Sequence, residues 1–114
     1  HNKAAGHALS EAISRLQSRK LFLIVGMLNT KDVMGYMQPL LNKSSDLYGV
    51  SIPGEAATMS AQETVDIAKD VGFKAIVSEN VESAIKDIIK YDHNARILIC
   101  GSLYLAGNIL KENF

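Results

Sequence analysis

The sequence has one cysteine, two prolines and no tryptophan among 114 residues. The single cysteine, Cys100, has no partner for an internal disulfide, which is typical of a protein in a reducing cytoplasm. Twelve basic residues balance twelve acidic ones, so the basic excess of a nucleic-acid or membrane-surface binder is missing. No apolar run approaches the roughly 20 residues that span a bilayer. These absences favour a cytoplasmic globular domain that binds neither nucleic acid nor membrane.

Familiar cofactor motifs are missing as well. The sequence contains neither G-x-x-x-x-G-K-[ST] nor G-x-G-x-x-G, so we expect no nucleotide or dinucleotide to be held in those ways. His1, His7 and His93 lack paired metal spacing, and we predict no metal site. The chain is long enough for one hydrophobic core and too short for two. Because it opens with His1 directly before helix-like sequence, we expect a processed chain or a segment of a longer protein.

The sequence predicts strands and helices that alternate along the chain. Apolar residues at helical spacing predict helices, and short apolar runs rich in β-branched residues predict strands. Capping residues precede four of the helices, namely Asn2, Asp32, Ser60 with Glu63 as a capping box, and Asn80. The predicted order is helix 5–16, strand 21–26, helix 33–41, strand 47–52, helix 61–71, strand 75–77, helix 81–89, strand 96–100 and helix 103–110.

Strict alternation predicts an α/β domain, a Rossmann-like three-layer sandwich with a mostly parallel sheet. The opening helix has no strand before it, so the first strand of the pattern is missing. Leu21–Gly26 and Arg96–Cys100 are apolar at successive positions, and we therefore expect both to be interior strands.

Ligands of open parallel sheets bind beyond the carboxyl ends of the strands. Polar segments stand there at 1–2, 27–32, 52–60, 78–79 and 101–102. Ser102 is either an ordinary helix cap or, with Gly101, part of an anion site. At 31–32, either Asp32 is a helix cap or Lys31 contacts a phosphate or carboxylate. From position alone, His1 would be a frayed terminus. Cys100, at the end of an apolar strand, is predicted to be a small core residue rather than a nucleophile.

Three segments together resemble one family. H-N-K-A-A-G-H-A-L at 1–9 resembles the tail of the D-G-A-H-N-P-x-[AG] motif of folylpolyglutamate synthase / dihydrofolate synthase enzymes, which belong to the Mur ligase superfamily. G-M-L-N-T-K-D at 26–32 is similar to G-M-L-x-D-K-D of that family, and G-S-L-Y at 101–104 to its G-S-[LF]-Y. Lys3 stands where the family has proline, and Thr30 where it has aspartate. The order of the segments matches the C-terminal domain alone.

The resemblance implies that residues 1–114 are the C-terminal domain of an ADP-forming amide ligase of folate and one-carbon metabolism. Such an enzyme joins L-glutamate to dihydropteroate or a folate through an acyl phosphate, using ATP and Mg²⁺. The N-terminal domain, which binds most of the ATP, is not in this sequence, so we expect the isolated domain to be inactive. By matching position, the resemblance implies that His1 and Ser102 bind glutamate. It places Lys31 and Asp32 at the interdomain cleft, on the phosphate side.

Two alternatives remain open at this point. One is the corresponding domain of a Mur ligase of peptidoglycan synthesis, which shares the fold and has a different acceptor. The other is a free-standing Rossmann-like domain that binds a small molecule.

Overall fold

Four parallel strands form the centre of the molecule. The computed structural model describes residues 2–14, 20–28, 32–43, 46–54 and 58–101. The described strands are β1 (Leu21–Gly26), β2 (Asp46–Gly49), β3 (Lys74–Val77) and β4 (Arg96–Gly101). They lie in the order β3-β2-β1-β4, and all three pairings are parallel. The predicted α/β class with a parallel sheet is confirmed.

Helices cover both faces of this sheet. The described helices are α1 (Lys3–Ser14), α2 (Val33–Met37), α3 (Ala61–Val71) and α4 (Val81–Tyr91), with a 3₁₀ helix at Gln38–Lys43. One hydrophobic cluster lies between the sheet and the side formed by α1, α2 and α3, and a second lies between the sheet and α4. The result is the predicted three-layer arrangement. Among the described helices, none combines the length and apolar character needed to cross a bilayer.

The strand β1 holds the two layers of core together. All six of its residues are buried. Leu23 and Val25 belong to the cluster under α1, α2 and α3, whereas Phe22 and Ile24 belong to the cluster under α4. A strand that is covered on both faces has no polar alternation, which is why its sequence is a continuous apolar run. The prediction that Leu21–Gly26 is an interior strand is confirmed.

The same prediction was wrong for β4. Arg96–Gly101 is the outermost strand of the described sheet, and all six residues are half-buried. Its side chains still pack on both clusters: Leu98 and Cys100 on one side, Ile97 and Ile99 on the other. An apolar run indicates that both faces of a strand are covered. It does not indicate whether the strand has a hydrogen-bonded neighbour on both edges.

Two helices also differ from the expected pattern. The helix predicted at 33–41 is α-helical only to Met37 and continues as the 3₁₀ helix. Pro39 explains the change, because it has no N–H to donate to the carbonyl four residues earlier. In α4, Ala84 and Ile88 are buried as expected, but Ile89 is 48% exposed. The helix predicted at 103–110 lies outside the described residues.

The predicted helix caps are confirmed. The Asn2 Oδ1 accepts a hydrogen bond from Ala5 N–H at 3.0 Å, and the Asn80 Oδ1 accepts one from Ser83 N–H at 2.8 Å. Ser60 and Glu63 form a complete capping box, with both hydrogen bonds at 3.0 Å. These bonds lower the pKa of the Glu63 carboxyl below its usual value. Each cap satisfies backbone N–H groups that the first turn leaves without a helical partner.

β3, the outer strand on the side of the described sheet opposite β4, is short and exposed. β3 has four residues, of which only Ala75 is buried. Ile76 is 39% and Val77 45% exposed, and Lys74 begins the strand.

We expect Ser60→Ala to lower the free energy of unfolding by about 1 kcal/mol, the usual loss for an N-cap side chain. Ser60→Thr is the matched control, since it keeps the hydroxyl that accepts from Glu63 N–H. Urea unfolding followed by circular dichroism measures both variants. Equal stability of Ser60→Ala and Ser60→Thr would show that the capping box does not stabilise α3.

Candidate functional site

The carboxyl ends of the strands form one rim of the sheet, because every described pairing is parallel. In the register of the sheet, Gly26 at the end of β1 lies opposite Gly101 at the end of β4. α2 begins shortly after the carboxyl end of β1. α1 precedes β1 in the chain and packs against α2, so its start also lies toward this rim. Parallel α/β sheets bind their ligands at such a rim.

Asp32 is the one proposed site residue that the structure describes. It is exposed and caps α2, its Oδ1 accepting a hydrogen bond from Gly35 N–H at 3.1 Å. A Cβ on Gly35 would meet the end of the Asp32 side chain, so the carboxylate lies close against the first turn of α2. The interpretation of Asp32 as a helix cap is confirmed. Its role at an interdomain cleft stays a prediction.

The other proposed site residues, His1, Lys31 and Ser102, lie outside the described residues. The residue next to each of them is described: Asn2 caps α1, Asp32 caps α2, and Gly101 ends β4. The clustering of His1, Lys31, Asp32 and Ser102 on one rim therefore stays a prediction. The positions of their neighbours at the ends of adjacent elements support it.

The backbone at the end of β4 leaves no room for a side chain at Gly101. Gly101 has a φ of +114°, a backbone conformation that side chains other than hydrogen rarely adopt. A Cβ on Gly101 would clash with the Gly26 carbonyl. The path of the backbone therefore requires glycine at position 101.

Two polar side chains in the loops after β1 and β2 form hydrogen bonds that join these loops. The Thr58 hydroxyl accepts a hydrogen bond from Ile52 N–H at 3.1 Å and lies 3.2 Å from the Met27 carbonyl, to which it can donate. The Ser51 Oγ accepts one from Ala61 N–H at 3.1 Å. The loops after β1 and β2 are therefore joined, and much of the polar character predicted for 52–60 is used within the protein.

A shallow cleft of about 340 Å³ opens between the start of α1 and the region around α2. Its lining consists of Lys3, His7, Gly35, Gln38 and Pro39. The cleft lies beside the Asp32 cap, and Lys3 and His7 are exposed there. Sequence reasoning predicted that His7 is a surface residue, which is confirmed, but it did not predict this cleft.

Tyr36 lies under the end of β4 and was not predicted as part of the rim. Its side chain is 3% exposed, and its hydroxyl hydrogen-bonds with both Cys100 and the Gly101 backbone. Burial raises the pKa of the Cys100 thiol to about 12, so it stays protonated at neutral pH. A protonated thiol agrees with the predicted core role of Cys100, since the thiolate is the nucleophilic form. Across the described ranges, no three His, Cys, Asp or Glu side chains are grouped as metal ligands would be.

Residues 1–112 match the family described as dihydrofolate synthetase, C-terminal domain. The chain belongs to this family. The match extends over nearly the whole chain, including all three segments from which the resemblance was inferred, and it separates the domain from Mur ligases of peptidoglycan synthesis.

Individual relatives agree with the family. The chain is 27% identical over 122 residues to the "Probable dihydrofolate synthetase" of Schizosaccharomyces pombe, covering 97% of this chain and 29% of that protein. The folylpolyglutamate synthase of Mycobacterium tuberculosis, solved with ADP and AMPPCP, superposes with a TM-score of 0.85 at 22% identity, over 98% of this chain and 28% of that one. FolC of E. coli, in complex with DHPP and ADP, gives 0.81 at 21%, over 98% and 26%. The two structures establish the fold, and the chain spans less than a third of each relative.

We expect Gly101→Ala to destabilise the domain by about 2–6 kcal/mol, since a clash of about 1–3 kcal/mol adds to backbone strain of similar size. Gly54→Ala is the matched control, because Gly54 also has a positive φ, +74°, yet a Cβ at that position would meet no atom within 4 Å. That control should lose only about 1–2 kcal/mol. Urea unfolding measures both, and equal losses would refute a tight contact between Gly101 and Gly26.

Proposed function

We propose that this domain forms the glutamate-side wall of the active site of a folylpolyglutamate synthase / dihydrofolate synthase. The family match over residues 1–112 carries the proposal. The names of the similar proteins support it, since one is a dihydrofolate synthetase and another a folylpolyglutamate synthase. The whole enzyme would link L-glutamate to dihydropteroate or a folate in the cytoplasm, in the pathways of one-carbon metabolism.

The chemistry divides between two domains. ATP phosphorylates the carboxylate of dihydropteroate or folate, giving ADP and an acyl phosphate. The glutamate amine then attacks the acyl carbon, and inorganic phosphate leaves as the amide forms. The sequence has no P-loop, and the described residues group no three metal ligands, so we assign ATP and Mg²⁺ mainly to the N-terminal domain. This domain would orient the amine and exclude water from the acyl phosphate.

In the proposal, His1 and Ser102 bind glutamate, and Lys31 and Asp32 face the phosphate side of the cleft. An imidazole and a hydroxyl at a helix start suit a carboxylate, with about 0.3–1 kcal/mol from the helix dipole. Asp32 already accepts one hydrogen bond, from Gly35 N–H, and is exposed. It therefore contributes charge and loop geometry to the cleft while it caps α2. The positions of Asn2, Asp32 and Gly101 support this arrangement.

The contacts assigned here are too few for tight binding by one domain. A hydroxyl, helix amides and an imidazole supply about 2–4 kcal/mol, at roughly 1 kcal/mol for each hydrogen bond. A millimolar dissociation constant already corresponds to about 4.1 kcal/mol. Glutamate affinity of the isolated domain would then be millimolar or poorer, and domain closure would supply the remaining contacts.

We predict that Ser102→Ala in the full-length enzyme raises the KM for glutamate by about tenfold, as expected when a hydrogen bond worth about 1.4 kcal/mol to a charged carboxylate is lost. The KM for ATP should change much less. Steady-state assays of ADP release with each substrate varied in turn measure both constants. Equal changes in both would mean that Ser102 is a helix cap whose loss disturbs the whole rim.

We also predict that the isolated domain has no ligase activity, because it supplies only one wall of the site. The purified domain is incubated with ATP, Mg²⁺, L-glutamate and dihydropteroate, and the full-length enzyme serves as the positive control. ADP release coupled to amide formation by the domain alone would contradict the proposed division of labour.

A further inference from the structure

β4 has an outer edge that no described strand covers. Its inner edge pairs with β1 along the whole strand. Arg96 N–H donates to the Lys20 carbonyl at 3.0 Å, so the N–H and C=O groups of Arg96 point towards β1. These groups alternate between the two edges along a strand, so those of Ile97 and Ile99 point away from β1. The outer edge of β4 therefore presents the backbone groups of these two isoleucines to a further strand.

The composition of β4 does not suit an open edge. Four consecutive apolar residues, 97–100, pack on both hydrophobic clusters of the core. The whole strand is nevertheless only half-buried, whereas every residue of the neighbouring β1 is buried. Proteins shield long apolar edges, because open N–H and C=O groups would otherwise direct pairing with another chain. A further strand beside β4 would cover these groups and reduce the exposure of the apolar side chains.

The crossover connections of the sheet indicate where such a strand comes from. The chain passes from β1 through α2 to β2 and through α3 to β3, with both helices on one side of the sheet. It returns from β3 through α4 to β4 on the other side. Because both the direction and the side are reversed, all three crossovers have the same hand. Crossovers between parallel strands are almost always right-handed, so we expect the same hand for any further one.

α1 leads into β1 and so completes a crossover whose first strand can be located in the same way. Ile13 of α1 belongs to the hydrophobic cluster beneath α2 and α3, which places α1 on the same side of the sheet as these helices. α2 packs against both α1 and α3, so the helices lie in the order α3-α2-α1, with α1 on the β4 side. A crossover of the same hand that enters β1 on this side must start on the β4 side of β1. Since β4 occupies the position next to β1, the strand before α1 lies beyond β4.

We propose that the outer edge of β4 is the interface for a strand from the segment that precedes this domain in the full-length protein. The occupant is an extended, mainly apolar stretch of about five or six residues, the usual length of a strand, and it runs parallel to β4. The relatives supply such a segment, since this chain matches a C-terminal domain and spans less than a third of each relative. A strand parallel to β4 ends at the rim, where α1 begins, so a short turn connects the two.

The test compares the 114-residue chain with the same chain extended by the natural residues that precede it, about ten, enough for one strand and a turn. NMR spectroscopy measures amide hydrogen exchange at each residue. We expect exchange at Ile97 and Ile99 to slow by at least about tenfold in the extended chain, which corresponds to about 1.4 kcal/mol of added local protection. Leu98 is the internal control and should slow less, because its N–H points towards β1 and is paired in both chains. Exchange in β3, at the other edge of the described sheet, should not change.

The matched control is an extension of the same length with two consecutive prolines in its middle. Proline has no N–H to donate, and of two neighbouring residues one must face β4, so this extension cannot pair along the strand. Exchange at Ile97 and Ile99 should then be as fast as in the 114-residue chain.

Four results would overturn the proposal. Unchanged exchange at Ile97 and Ile99 in the natural extension is one, and equal slowing by the proline extension is another. Equal slowing in β3 is the third, because the added residues would then act elsewhere than at the edge of β4. The fourth is slowing that accompanies dimer formation in light scattering, which would make a second copy the occupant. None of these measurements involves Ser102, so this interface and the proposed glutamate contact stand or fall separately.

Discussion

The burial of β1 is the constraint on which the rest of the structure depends. Its side chains alternate between two hydrophobic clusters, and its two edges pair with β2 and β4. The strand has no polar side chain, so helices must cover both faces of the sheet. Its neighbours are parallel to it, so the chain must return through crossover connections. The carboxyl ends of the strands then meet at one rim. The position of the candidate site is thus a consequence of the apolar run L-F-L-I-V-G.

The sequence was informative where one residue determines a local conformation, and uninformative where the conformation depends on distant neighbours. The caps Asn2, Ser60 and Asn80 were predictable, because each bonds an N–H only three residues away. The edge position of β4 was not, since strand order is set by long-range pairing. Pro39 was the available signal for the end of α2, and its missing N–H outweighed the helical periodicity of Leu40 and Leu41. The family motifs indicated the rim, whereas Tyr36 carried no signal, because its hydroxyl's partners lie far away along the chain.

Several polar side chains in the described part of the rim bond within the protein. Thr58 and Ser51 hold loops to each other, and Asn2 and Asp32 cap helices. A surface whose polar groups already bond within the protein keeps its shape without a ligand, which favours preorganisation. In the proposed function, this preorganisation would reduce the cost of ordering one wall of the site.

The exposed edge at β3 bears on how the domain avoids pairing with other copies of itself. An open strand edge offers unpaired N–H and C=O groups, and exposed Ile76 and Val77 would add apolar contact for an incoming strand. Two features oppose such pairing: the strand is only four residues long, and it begins with the charged Lys74. Short length limits how many intermolecular hydrogen bonds can form, and a lysine disfavours the dry contact that an incoming strand would make. A charged residue on a short outer strand is a feature that opposes sheet-to-sheet aggregation, and Lys74 has this position in the described sheet.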